Sequence, residues 1–274
     1  MKIELAIEEQ LYSADLSQGN SIAITLIPNG EQPNHFGAPE CASETLVAGS
    51  FIGDTKRDGS CNAKQLSIIP HCNGTHTESV SHIVNQLIPV YQSIEHSLFP
   101  CILLSISPEI AKETNENYLP FFDDDNRVIT KKQLEERLIN YTDEQLQGLV
   151  IRTSPNPENK KIKIYDKKNY PTYLTNDAMK YLVERKINHL MVDFPSVDKM
   201  YDDGMLSNHR MFWNVKLDDK DLSSDSLINK TITEMIFVDD EINDGFYLCN
   251  LQIPEIETDA VPSRPVLYKL NAVK

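Results

Sequence analysis

Three short apolar runs, CILLSI at 101–106, QGLVIRT at 147–153 and HLMVDF at 189–194, alternate with two segments that carry helix-opening residues. In TKKQLEERLIN at 130–140, Thr130 can cap the first turn, and in LTNDAMKYLVERKI, Thr175 can cap a helix that ends near Asn188. Strand, helix, strand, helix, strand is the βαβ pattern, whose parallel strands are buried on both faces and so read as unbroken apolar runs. SIAITLI at 21–27, LSIIP at 66–70, GFYLCNLQI at 245–253 and PVLYKL at 265–270 add strand candidates, while PNGEQPNHFGAP reads as loop. KLDDKDLSSDSLINK at 216–230 is polar and acid-rich and reads as a surface excursion. A chain of 274 residues can bury one sizeable core, so the expectation is a single α/β domain with a substantial β component.

Charge narrows the partners. With 26 Lys+Arg against 41 Asp+Glu the net charge is −15, which repels phosphate backbones, and no nucleic-acid partner is expected. No apolar run approaches the ~20 residues needed to span a bilayer, and the opening MKIELAIEEQ has acids where a secretory signal has basic residues. A cytoplasmic protein with no membrane partner is expected. The five cysteines, Cys41, Cys61, Cys72, Cys101 and Cys249, are odd in number and lack a C-x-x-C pair, against both a disulfide framework and a zinc ribbon. Cys101, inside CILLSI, reads as core.

The stretch HCNGTHTESVSH at 71–82 gathers His71, Cys72, His76, Glu78 and His82. If residues 76–78 are extended, His76 and Glu78 share a side; if the chain turns helical after Thr77, Glu78 and His82 share one. Imidazole, thiolate and carboxylate suit zinc, and the imidazole and carboxylate subset also suits manganese or iron. The competing reading is an exposed polar loop. His209 in HRMFW and Glu234 in the strand-like KTITEMIF are further donors if they converge on this stretch.

CNGTHTESVSH resembles the signature of the cyclase and bacterial kynurenine formamidase type of metal-dependent hydrolase: His, any residue, Gly-Thr-His, any, Asp, any, Pro, any, His. DFPSVD at 193–198, HR at 209–210, the glutamate of ITEM at 232–235 and PSRPVLY at 262–268 extend the resemblance in order, over roughly residues 15 to 270. It implies one domain, 1–274, with a central mixed β-sheet or β-barrel-like core flanked by helices, of the swivelling β/β/α type, with 216–230 as an insertion. It implies one or two Zn2+ or Mn2+ ions held by Cys72, His76, a bridging Glu78, His209 and Glu234, with His82 catalytic. Three positions depart from the signature: Cys72 replaces histidine, with His71 beside it as a substitute, Glu78 replaces aspartate, and Val80 replaces proline. A homo-oligomer, dimer or tetramer, is also implied, with the N-terminal segment as an arm between subunits.

The implied reaction is hydrolysis of the amide in a small arylformamide, or of a cyclic amide or lactone, with His82 moving the proton. Thr75 is a candidate oxyanion donor, and Asp193 or Asp198 a candidate support for a ligand histidine. Phe36, Phe51, Phe194 and Trp213 are candidate walls of a small-molecule pocket. Two rivals stand beside this. A serine triad lacks any G-x-S-x-G and has only Ser196 to offer near His209. A catalytically degenerate member that binds a metal or small molecule is favoured by the changes at 72 and 78 and opposed by the intact His76, His82, His209 and Glu234.

Overall fold

The computed structural model describes residues 1–273. Nine strands form the principal sheet: β1 (Asn20–Ser21), β2 (His76–Glu78), β3 (Leu98–Ile106), β4 (Gly148–Thr153), β5 (His189–Val192), β6 (Thr231–Glu234), β7 (Gly245–Asn250), β8 (Ala260–Pro262) and β9 (Val266–Lys269). Their spatial order is β8-β2-β6-β5-β4-β3-β7-β9-β1. The four central strands β3 to β6 are parallel, and both flanks pair antiparallel. The sheet curls into a half-barrel within a single α/β domain.

Both faces of the centre are apolar, as the unbroken runs require. Ile102, Leu104, Leu149, Ile151, Leu190 and Val192 meet the helices, whereas Cys101, Leu103, Val150 and Met191 face a second cluster with Ile22, Ile236 and Leu267. Helix α1 (Pro70–Asn73) is a single turn; α2 (Lys131–Leu138), α3 (Asn176–Glu184) and α4 (Ser207–Phe212) are the crossovers between consecutive parallel strands. Helix α2 buries Leu134 and Leu138, and α3 buries Ala178, Met179 and Leu182, the one-sided spacing of an amphipathic helix. Thr130 closes a capping box with Gln133, and Thr175 Oγ1 accepts from Ala178 N at 2.9 Å. Gly148 opens β4 because a Cβ there would lie 2.6 Å from the Phe99 ring.

Elsewhere the local reading gives way to side-chain chemistry. SIAITLI contributes only Ser21 to a strand, plus one bridge from Ala23 to Ile236. The Ile24 amide donates instead to Thr75 Oγ1 at 2.8 Å. In LSIIP the strand lies earlier, Lys64–Ser67 paired with Ala42–Thr45, and Pro70 opens α1 at a position where its missing N–H costs nothing. The N-terminal segment folds back as a hairpin, Lys2–Ile7 with Gln10–Asp15, which pairs with Asn271–Ala272 of the same chain. Residues 216–230, all described, contain neither helix nor strand; the Leu227 amide bonds to Trp213 O at 2.8 Å, and Trp213 Nε1 donates to Lys230 O at 2.9 Å. Among the described residues no helix is long and apolar enough to cross a membrane.

His189 opens β5 with its ring stacked on Phe99 at 4.1 Å and Nδ1 2.9 Å from Thr231 Oγ1. Burial, and then the charge of Lys230, hold it down to about 4 from the usual 6.5. Between those two values the unfolded chain binds more protons than the folded one, so stability present at neutral pH is lost as the pH falls through this window. Urea denaturation midpoints measured from pH 6.5 to 4 should therefore fall less steeply for His189→Gln than for the parent. Parallel slopes would contradict this account of the residue.

Candidate metal centre

Strand β2 is the spine of the site. It pairs antiparallel with β6, setting Glu234 opposite His76 and Ile232 opposite Glu78, and with β8, setting Ala260 opposite Glu78. The two-residue period turns His76 and Glu78 to one side. Thr77 points the other way, 2.8 Å from Thr233 Oγ1 and donating to Ser263 Oγ at 2.8 Å. Helix α1 delivers His71 from before the strand, and a single 3-10 turn, Val80–His82, opened by Ser79, returns His82 from beyond it. His209 comes from α4 and Asp198 from the loop after β5.

Glu78 has no exposed surface. Its Oε1 lies 2.9 Å from His209 Nε2, and its Oε2 lies 3.0 Å from His71 Nδ1 and 4.0 Å from His82 Nδ1. His76 Nδ1 donates to Gly74 O at 2.9 Å, and its Nε2 lies 3.6 Å from Glu234 Oε2. Glu234 Oε1 accepts from Val197 N at 2.8 Å and lies 3.7 Å from His209 Nε2. Asp198 accepts from His209 Nδ1 at 2.5 Å, from the amides of Asn208 and His209 at 2.7 and 3.1 Å, and from Tyr118 OH at 2.8 Å. Asp259 Oδ2 lies 2.8 Å from His71 Nε2 and 3.6 Å from His82 Nδ1. The His71 and His82 rings stack at 4.1 Å, and Trp213 backs His209 at 5.6 Å.

These contacts oppose burial. Burial alone would strip His71 and His209 of charge, but Asp259 and Glu78 push His71 up to about 10, and Glu78 and Asp198 hold His209 well above its usual range. Burial would likewise keep Glu78 protonated, yet the charges of His82 and His209 hold it well below the usual carboxylate range. His71 and His82 hold Asp259 far below its own.

The residues fit a divalent cation. Three triads, His71/His76/Glu78, Glu78/His82/His209 and His71/His82/Asp259, each bring donor atoms within 4.8 Å of one another. Buried His76 Nε2 has no hydrogen-bond partner among the described residues, an expensive arrangement that a cation would relieve. Imidazole nitrogen with carboxylate oxygen is the donor set of zinc and manganese centres.

Of the residues singled out in the sequence, His71, His76, Glu78, His82, His209 and Glu234 converge here. Cys72, half-buried on α1, belongs to none of the triads; burial, and then the charge of Glu234, push its thiol up. The Thr75 hydroxyl is not free to serve as an oxyanion donor: its proton goes to Met235 O at 2.6 Å while it accepts from Ile24 N. Of the two aspartates offered as supports, Asp198 meets a site histidine, while Asp193 is bound by Thr153 and by Lys160 Nζ at 2.8 Å. Ser196 Oγ accepts from the Asp198 amide at 3.2 Å. Trp213 and Phe194 are buried, Phe51 is half-buried, and Phe36 is 56% exposed.

Two residues escaped the sequence reading. Asp259 lies at the end of an acid-rich loop run, PEIETD, and only the pairing of β8 with β2 gives it a place. His35, inside a stretch read as loop, is 3% exposed with neither ring nitrogen paired among the described residues. Burial, and then His76, hold it down to about 3, and its ring sits 4.0 Å from that of Phe36.

The fold and the histidine–carboxylate cluster together define an α/β protein with a candidate divalent-cation centre. The Cyclase family model matches residues 14–199, more than half of the chain, and the chain belongs to that family. The match ends before His209 and Glu234, whose place in the centre rests on geometry. Among solved structures, a predicted metal-dependent hydrolase from Bacillus stearothermophilus superposes with a TM-score of 0.57 at 16% identity, over 92% of this chain and 98% of its own. An isatin hydrolase bound to the product analogue thioisatinate gives 0.61 at 14% identity, over 93% of each chain. Isatin hydrolase A from Ralstonia solanacearum gives 0.57 at 14%, over 92% and 91%. At such identities the likeness shows the fold alone. No curated protein matches the sequence.

Asp198 is 1% exposed and accepts four hydrogen bonds from three residues. Asp198→Ala leaves a buried imidazole and two amides without their acceptor and should cost about 3–5 kcal/mol in urea unfolding. A loss under about 1 kcal/mol, the worth of one ordinary hydrogen bond, would show that water replaces the carboxylate at no penalty.

Proposed function

We propose that the protein is a metal-dependent hydrolase that opens the amide bond of a small arylformamide or a cyclic amide, or the ester bond of a lactone. The observation that carries this reading is Glu78, buried with one oxygen towards His71 and the other towards His209, beside the unpaired His76 Nε2. His76, Glu78, His209, Glu234 and a donor from the 71–72 pair would hold one or two Zn2+ or Mn2+ ions. Such an ion supplies Lewis acidity, which acidifies water and polarises a carbonyl.

The protein's own groups do the rest. His82 is the most exposed imidazole of the cluster, with 26% of its side chain open. Its Nδ1 is turned to the carboxylates of Asp259 and Glu78, which leaves Nε2 to take the proton of the attacking water and hand it to the leaving nitrogen. Asp198 fixes the His209 ring through Nδ1, and Trp213 closes the space behind it. The shared fold with isatin hydrolases favours the cyclic aryl amide among these substrates. We read residues 216–230 as an insertion into the family domain, tied down at Trp213. A second reading, a degenerate member that binds without turnover, is favoured by cysteine at 72 and glutamate at 78.

Elemental mass spectrometry of the purified protein should find one or two equivalents of zinc or manganese, lost in His76→Ala. His82→Ala should keep its metal and lose about 10²- to 10⁴-fold in kcat/KM on formylated anilines or cyclic amides. Metal that stays bound without any turnover of either substrate class would favour the binding-protein reading. Absence of metal after anaerobic reconstitution would remove the hydrolase reading altogether.

A further inference from the structure

Two histidines of the centre are arranged alike. His209 faces Asp198 through Nδ1 at 2.5 Å and Glu78 Oε1 through Nε2 at 2.9 Å. His71 faces Asp259 through Nε2 at 2.8 Å and Glu78 Oε2 through Nδ1 at 3.0 Å. The row runs carboxylate, imidazole, Glu78, imidazole, carboxylate. A neutral imidazole has one N–H and one lone pair. If the outer carboxylate takes the N–H, the lone pair is left against an oxygen of Glu78, an arrangement stable only when a proton or a cation stands between them.

We propose, resting on the metal-hydrolase reading, that His71 is the ligand that replaces the histidine missing from position 72, and that Asp259 is its positioning residue, as Asp198 is for His209. The geometry of α1 supports this. Successive residues of an α-helix point about 100° apart, so His71 and Cys72, side by side on a single turn, face different directions. It is His71 that reaches Glu78 and enters two of the three donor triads, and Cys72 enters none. Asp259 precedes β8, whose Ala260 is in register with Glu78, so pairing of the strand brings the carboxylate to the outer side of the imidazole. Proton on Nε2, lone pair on Nδ1: Asp259 selects that tautomer and holds the ring plane, the service a carboxylate performs behind a metal-bound histidine. The shift of donor by one residue thus comes with its own support from the far end of the chain.

The test uses the full chain, with zinc affinity measured by chelator competition and the histidine rings followed by nitrogen–proton NMR in metal-stripped protein. Cys72→Ala should bind zinc about as tightly as the parent, His71→Ala should lose the most affinity, and Asp259→Asn should weaken it about 10- to 100-fold, with partial recovery in Asp259→Glu. In the metal-stripped protein, a slowly exchanging ring N–H assigned to His71 Nε2 should be present in the parent and absent in Asp259→Ala, a readout independent of any metal. Affinity lost in Cys72→Ala and kept in His71→Ala overturns the assignment of the ligand. Affinity and the ring N–H both unchanged in the Asp259 variants overturn the role of Asp259. Loss of zinc in His76→Ala alongside either result leaves the hydrolase reading standing, whereas a parent chain that takes up neither zinc nor manganese overturns that reading and this assignment together.

Discussion

A carboxylate with no exposed surface, flanked on both oxygens by imidazole, sets the terms for the site. Removing an ionised carboxylate from water costs many kcal/mol unless partners compensate. Glu78 is compensated only if His71, His82 and His209 all arrive beside it, and each comes from a different local structure: one turn of helix before β2, a tight turn beyond it, and a helix more than a hundred residues on. The register of β2 between β6 and β8 is therefore held from both sides. A slip of one residue would exchange Glu78 for Thr77 and bury the carboxylate against the hydroxyls of Thr233 and Ser263.

The parallel centre was legible because it obeys local rules. The runs that became β3, β4 and β5 are apolar on both faces, and the Thr130 and Thr175 caps mark the helices between them. The edges were not, because their strands exist by partnership more than by propensity. SIAITLI has the composition of a strand, but the Thr75 hydroxyl captures the Ile24 amide. Strand β8 is three residues long and ends in proline. The stretch at 71–82 announced His71, His76, Glu78 and His82 by their crowding; His209 and Glu234 stood apart as single donors, and resemblance joined them to it. Asp259 had no motif of its own, and His35 sat in a loop whose burial no local pattern foretells.

Around the cluster the fold supplies rigidity. Trp213 lies beneath the His209 ring with its own N–H donated to Lys230, and Asp198 holds both the ring and the backbone that carries it. The groups that would do chemistry stand on backbone already committed elsewhere, a condition for holding catalytic geometry to fractions of an ångström.

The pairing of β2 between two partners that follow it by more than 150 residues has a consequence for biosynthesis. A ribosome delivers residues 71–82 early, with the acidic and imidazole groups of the future centre still facing water. Neither β6 nor β8 yet exists to enclose them, and a chain stopped before residue 259 contains the parallel strands but lacks β8, one wall of the site. Closing a loop of this length costs chain entropy before the contact repays it. The buried charges of the site can therefore be enclosed only after residues 231–262 have been made, when the partners of β2 are at hand.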